Sequence, residues 1–201
     1  MNQTIALVIA YLLGSLPFAL LAGRLNGVDL RTAGSGNLGA TNVFRVLGRS
    51  WGIAVMVLDI AKGAVAVLIA EALVPSPWPL AAGALAILGH VFPVWTGFTG
   101  GKGVATGAGA LIGLTPAAAG VMVAIWVVLV LVTRYVSVAS IVAALAAAPL
   151  AWAFGAPWSY VAFVAVAALF VIWKHRENIR RLGTGTENRI RLGRSSAPGQ
   201  T

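Results

Sequence analysis

The sequence predicts an all-α membrane protein with seven transmembrane helices, its N-terminus outside, its C-terminus cytoplasmic and its fourth span short. Three observations predict this. The chain is 59% hydrophobic and only 9% charged, where a soluble domain is about 25% charged. Its apolar residues fall into stretches of the roughly 20 residues a bilayer demands. Apart from Lys62, which lies within the second stretch, its Lys and Arg residues occupy alternate connections.

Thr4–Gly23 is the first stretch. No basic residue precedes it and no small-residue cleavage pattern follows, so a retained helix is expected. Trp51–Ala70 is the second and Trp78–Trp95 the third. Val104–Leu114 is apolar but short, and it is either a short span or a re-entrant piece. Pro116–Thr133, Val136–Phe154 and Trp158–Trp173 complete the set. The cations decide the count. Arg24, Arg31, Arg45 and Arg49 lie between the first two spans, Lys102 between the third and fourth, and Arg134 between the fifth and sixth. Lys174, Arg176, Arg180, Arg181, Arg189, Arg191 and Arg194 follow the last. Glu71–Pro77, Phe154–Pro157 and the junction at Thr115 hold no Lys or Arg. Basic loops face the cytoplasm. All of them reach that side only if Val104–Leu114 crosses.

The whole chain, 1–201, is expected to form one domain, with residues 193–201 a flexible tail. Small residues four apart (Gly97/Gly101, Gly103/Gly107, Gly109/Gly113) suit close helix packing. The formal charge of +9 is the positive-inside bias rather than a nucleic-acid surface. With no Cys, two His and five carboxylates, thiolate chemistry is excluded and no metal or cofactor is expected.

Three polar segments carry the chemistry. The first is Gly34-Ser-Gly-Asn-Leu-Gly-Ala-Thr-Asn-Val-Phe-Arg45. Gly34, Gly36 and Gly39 match G-x-G-x-x-G by spacing, but that fingerprint needs a strand and a βαβ unit. The general reading is that glycines let backbone N–H groups approach an anion. Ser35, Asn37, Thr41 and Asn42 add neutral donors, and Arg45 a planar fork suited to phosphate. The second runs from Gly89 to Thr106 and contains His90 and Gly100-Gly101-Lys102-Gly103. It is not a Walker A loop, yet it opens a helix whose first N–H groups favour an anion. The third runs from Lys174 to Glu187. Its cations suit an anionic leaflet, and Arg180 and Arg181 are read that way. Asn178, Glu177 and Glu187 are not explained by it. Within the second span, Asp59 and Lys62 are three apart, share a helix face and are expected to pair as structural support. Ser137 and Ser140 open the sixth span, as caps or as parts of the site.

These three segments, in this order, resemble the cytoplasmic motifs of the bacterial acyl-phosphate-dependent glycerol-3-phosphate acyltransferases. With the seven-span layout the resemblance covers nearly the whole chain. It implies transfer of a fatty acyl group from acyl phosphate to the 1-hydroxyl of glycerol 3-phosphate. The products would be lysophosphatidic acid and phosphate, the first step of phospholipid synthesis. It further implies a bacterial cell membrane location with the site facing the cytoplasm, and membrane lipid as the surroundings. No nucleic acid and no obligate protein partner are implied. Ser35, Arg45, Lys102, His175 and Asn178 are expected as catalytic residues. Gly34, Gly36, Asn37, Gly39, Thr41, Asn42, His90, Gly100, Gly101, Gly103, Thr106, Ser140, Arg176 and Glu187 are expected to bind substrate. No nucleophile elbow is present and carboxylates are few, so direct attack fits better than an acyl-enzyme. A transporter of a phosphorylated solute is the alternative. It would need polar residues at both faces, and the outer connections are nearly devoid of them.

Overall fold

The computed structural model describes residues 2–190. The expected tail, 193–201 with Arg194, lies outside the described residues, as does Arg191. Among the described residues every regular element is helical.

Helix α1 (Gln3–Ser15) begins at Asn2, whose side chain accepts the Thr4 N–H at 3.0 Å. Pro17 cannot donate, and it holds the residue before it out of the helical region. The chain therefore breaks at Leu16 (ψ 117°) and resumes as α2 (Phe18–Leu25). The expected single helix over Thr4–Gly23 is thus two helices. A short helix α3 (Ala40–Leu47) leads into the long α4 (Arg49–Leu73). Helix α5 (Trp78–Val91) stops two residues before Pro93, short of the expected Trp95, and a single 3-10 turn follows at Val94–Thr96.

Helix α6 (Val104–Leu114) coincides with the expected short fourth segment. Its 11 residues rise only about 16 Å, against roughly 30 Å of hydrocarbon. Helices α7 (Pro116–Thr133), α8 (Val136–Ala153) and α9 (Trp158–Lys174) are long and apolar. After α9 the chain bends by 55° into α10 (Arg176–Gly183). Five segments are long and apolar enough to cross a membrane, and the bent α9–α10 pair makes a sixth.

Helix α4 is the hub, with α1, α5 and α6 packed around it and α3 against its start. Helices α7, α8 and α9 pack on one another in sequence, and α7 joins them to α6. With lipid tails as apolar as leucine, packing must come from close backbone approach. A Cβ on Gly109 would lie 1.9 Å from the Ile60 carbonyl oxygen, and one on Gly63 2.1 Å from that of Thr106. Gly14 meets Ala86, and Gly89 meets Tyr11, in the same way across α1 and α5. Of the small-residue pairs expected to pack, Gly109 and Gly113 do. Gly97 has no neighbour within 4 Å where its side chain would be, and Gly107 has ordinary contact only.

The α4–α6 contact yields a stability prediction. Gly109→Leu must push the two backbones apart, which costs about 3 kcal/mol. Its melting temperature in detergent should fall by roughly 5 °C or more. Gly120→Ala, where nothing lies within 4 Å, should leave it unchanged. Equal melting temperatures for the two variants would refute the account.

Candidate active site

The first segment wraps around one side chain. Asn42 is 1% exposed. Its Nδ2 donates to the carbonyls of Ala33 (3.0 Å) and Leu30 (3.3 Å), and its Oδ1 accepts the Ser35 N–H at 2.8 Å. Gly34 has φ +64°, and a Cβ there would sit 2.3 Å from Asn42 Oδ1. Only glycine satisfies both demands. Asn42, expected to bind substrate, thus spends both ends of its amide on the loop it shapes. The loop presents Ser35, Gly36, Asn37, Gly39, Thr41 and Arg45 to a common cleft. Among the described residues the Ser35 hydroxyl and the Arg45 guanidinium have no hydrogen-bond partner.

The second segment folds back on the end of α5. The Gly101 N–H donates to the His90 carbonyl at 3.2 Å. Gly103 caps α6 with φ +83° and offers no side chain to its first N–H groups. Gly100, Lys102, Gly103 and His90 line the cleft. Lys102 is half-buried, and its ammonium donates to Asn178 Oδ1. Burial and the nearby Arg181 charge lower its pKa to about 8. Thr106 corrects an expectation. It is fully buried, its Oγ1 has no partner among the described residues, and its carbonyl faces Gly63 across the α4–α6 contact. It lies on the side of α6 away from the cleft. Gly34 and Gly101 likewise serve by allowing close approach rather than by lining the cleft.

The third segment supplies the far wall. His175 is 3% exposed, with Nδ1 2.8 Å from the Val171 carbonyl. Arg176 stacks over Trp173, 4.7 Å from the ring centroid, so part of its role is packing. The Glu187 side chain is almost wholly buried. Its Oε1 accepts from Asn178 Nδ2 (2.6 Å) and Ser137 Oγ (2.8 Å), and its Oε2 from Arg181 Nε (2.6 Å). Burial alone would raise its pKa, but these three hydrogen bonds outweigh burial and hold the carboxyl below the usual range. A continuous chain results, from Lys102 through Asn178 and Glu187 to Arg181. Ser140 lies one helical turn beyond Ser137, and its hydroxyl accepts the Trp126 indole N–H at 3.1 Å.

Sequence reasoning left Arg181 to the lipid surface. The structure gives it to Glu187. Its position three residues after Asn178, on one face of α10, was the available signal. Trp126 carried no such signal, because its partner is set only by how α7 meets α8.

The cleft holds about 660 Å³. Its polar mouth is formed by Ser35, Arg45, Lys102, His175, Asn178 and Glu187. Its other limb is apolar, walled by Met122, Val123 and Val127 of α7, Ala143, Ala144 and Ala147 of α8, and Phe163, Ala167 and Ala168 of α9. Cations and neutral donors at one end and an apolar groove at the other suit anionic headgroups and a fatty chain side by side.

The comparisons with known proteins agree. The glycerol-3-phosphate acyltransferase family model matches residues 4–185. A glycerol-3-phosphate acyltransferase of Geobacter sulfurreducens is 47% identical over 192 residues, covering 95% of this chain and 99% of the relative. One from Thermus thermophilus is 49% identical over 187 residues, covering 92% and 93%. Two crystal structures of PlsY (YgiH), an integral membrane glycerol 3-phosphate acyltransferase, share the fold. The glycerol 3-phosphate form superposes with a TM-score of 0.89 at 42% identity, covering 94% of this chain and 95% of that one. The lysophosphatidic acid form gives 0.87 at 41%, covering 93% and 94%. The three polar segments, the helical scaffold and these matches lead to one conclusion: the chain belongs to the glycerol-3-phosphate acyltransferase family and is an integral membrane protein.

Proposed function

We propose that this protein transfers a fatty acyl group from acyl phosphate to the 1-hydroxyl of glycerol 3-phosphate by direct attack. The observation that carries the reading is the polar mouth, with its Lys102–Asn178–Glu187 chain beside Ser35 and Arg45, opening into an apolar groove. The glycerol hydroxyl oxygen bonds to the acyl carbon, the bond from that carbon to the phosphate oxygen breaks, and phosphate departs. The hydroxyl proton passes to a phosphate oxygen of the substrates. Glu187 is an unsuitable base, because three donors already occupy it. The protein's contribution is to hold two phosphorylated molecules in register and to stabilise charge on the departing phosphate. Lys102 and Arg45 supply cations, Ser35 and Asn178 orient, and the N–H groups opening α6 face the anion. His175 and Arg176 flank them.

The proposed topology has seven spans, an outer N-terminus and a site facing the cytoplasm of a bacterial cell membrane. Contacts between basic segments support it. Lys102 meets Asn178, and the Ile190 N–H donates to the Arg134 carbonyl at 2.8 Å. Ser137, at the start of α8, donates to Glu187 at 2.8 Å, so the connections before α6 and after α7 adjoin the third segment and the residues just after it. With α7 long enough to span, this favours α6 carrying the chain across in the other direction.

The test is the purified protein in nanodiscs with acyl phosphate and labelled glycerol 3-phosphate. Lysophosphatidic acid and phosphate should appear in equal amounts. Label from the acyl group should not remain on denatured protein, and acyl-CoA should not substitute for acyl phosphate. Retained label would overturn direct attack. Solute uptake into vesicles without acylation would support transport instead.

A pH prediction follows from Lys102. Its lowered pKa means that the cation is present below about pH 8 and is lost above it. With acyl phosphate well below saturation, where the empty site predominates, kcat/KM for glycerol 3-phosphate should fall tenfold per pH unit above that point. Lys102→Arg should remove this alkaline limb, whatever its absolute rate. A limb that persists in Lys102→Arg assigns it to another group.

A further inference from the structure

One buried set of polar side chains has no part in the chemistry proposed above. Asp59, Lys62 and His90 are 2%, 5% and 6% exposed. Asp59 Oδ1 lies 2.7 Å from Lys62 Nζ and 3.5 Å from His90 Nδ1. Lys62 Nζ also donates at 2.9 Å to the Leu16 carbonyl, freed by the α1–α2 break. On the opposite side, His90 touches the Gly100–Lys102 turn. Its carbonyl accepts the Gly101 N–H. A methyl on Gly101 would fall 2.1 Å from its Nε2, and one on Gly100 2.2 Å from its carbonyl oxygen. The turn therefore rests on both the ring and the carbonyl of this one residue, and Gly100 and Gly101 permit the approach.

Holding helices together does not explain this set. Taking a carboxylate and an ammonium out of water costs more than a well-packed apolar pair would. In some proteins such groups are retained because they fix one arrangement of the chain. The arrangement that His90 touches here is the turn that carries Lys102.

We infer that Asp59 is a positioning residue for acyl transfer: it fixes the His90 ring, and His90 fixes the backbone of Gly100–Lys102 where a substrate phosphate is held. His90 is then a support beneath the turn rather than a contact to substrate. Lys62 neutralises Asp59 and ties it to the α1–α2 break, without reaching the turn. The inference rests on the acyl-transfer reading given above.

The experiment compares Asp59→Asn plus Lys62→Met, Lys62→Met alone, and His90→Gln, each in nanodiscs, with KM for both substrates, kcat and melting temperature. The double variant removes both charges together and so leaves neither one buried alone. It should raise KM for one of the two phosphorylated substrates by about tenfold or more, with kcat within about threefold, at near wild-type melting temperature. His90→Gln should raise the same KM, and combining it with the double variant should add nothing further. Lys62→Met should lower melting temperature and leave both KM values in place. Wild-type KM values in the double variant, or in His90→Gln if the double variant fails to fold, would overturn the inference. If the wild-type protein makes no lysophosphatidic acid, the proposed function fails instead.

Discussion

Lys102→Ala should lower acyl transfer by about 10²- to 10³-fold, the range seen when a donor aimed at developing charge is removed. Lys102 is the residue next to the helix start at Gly103, where α6 offers unpaired N–H groups to an anion. Its own ammonium, already partly desolvated, donates to Asn178. Desolvation makes a cation costly to the empty site and valuable to a bound dianion, because the charge interacts more strongly where water is scarce. The loss should therefore fall on activity and not on folding. Lys102→Ala should melt at or slightly above the wild-type temperature, since the free protein no longer buries an ammonium. Steady-state kinetics with both substrates, alongside melting in detergent, checks both halves. A loss under about tenfold would remove Lys102 from the charge-stabilising role, and a large drop in melting temperature would make it a structural residue.

Much of this arrangement was readable in the residues, and the failures have physical causes. Span lengths follow from lipid being the solvent, so α4, α7, α8 and α9 match the expected apolar stretches within a few residues. The break in the first helix was also written there, in Leu16-Pro17, but apolarity on both sides masked it. Asp59 and Lys62 pair as their spacing requires. His90 joining them depends on how α5 crosses α4, which no local pattern encodes. Thr106 shows the limit of motif membership. It belongs to a segment proposed to hold phosphate, yet successive residues of a helix point in different directions, and Thr106 is buried at the α4–α6 contact. Arg181 shows the converse. A cation at a membrane-facing helix end looks alike whether it meets lipid or a carboxylate, and only the fold brings Glu187 to it.

Glu187→Ala should be the most damaging single change outside the polar mouth's own cations, because it acts on stability and on geometry together. The carboxylate gathers Ser137 from α8 with Asn178 and Arg181 from α10, so it ties the segment after α10 to the helices. Its removal orphans two buried neutral donors at about 1–3 kcal/mol each. The partly exposed Arg181 adds little, because water can take over its pairing. A loss of about 3 kcal/mol and a fall in melting temperature of roughly 5 °C or more are expected. Asn178 would also lose the bond that aims its Oδ1 at Lys102, so turnover should fall about 10²-fold even well below the melting temperature. Glu187→Gln separates the two effects. Its amide oxygen can still accept from Asn178 and Ser137, while its NH₂ faces the Arg181 donor without a bond. Activity should then stay within about tenfold of wild type, since a neutral acceptor still orients Asn178. The acid side gives an independent sign. A carboxyl lowered in the folded state contributes stability above its unfolded pKa and loses it as pH falls through the folded value. Wild-type protein should therefore destabilise in acid more steeply than Glu187→Gln. If both variants melted and turned over like wild type at neutral pH, the Lys102–Asn178–Glu187 chain would have no part in holding the site.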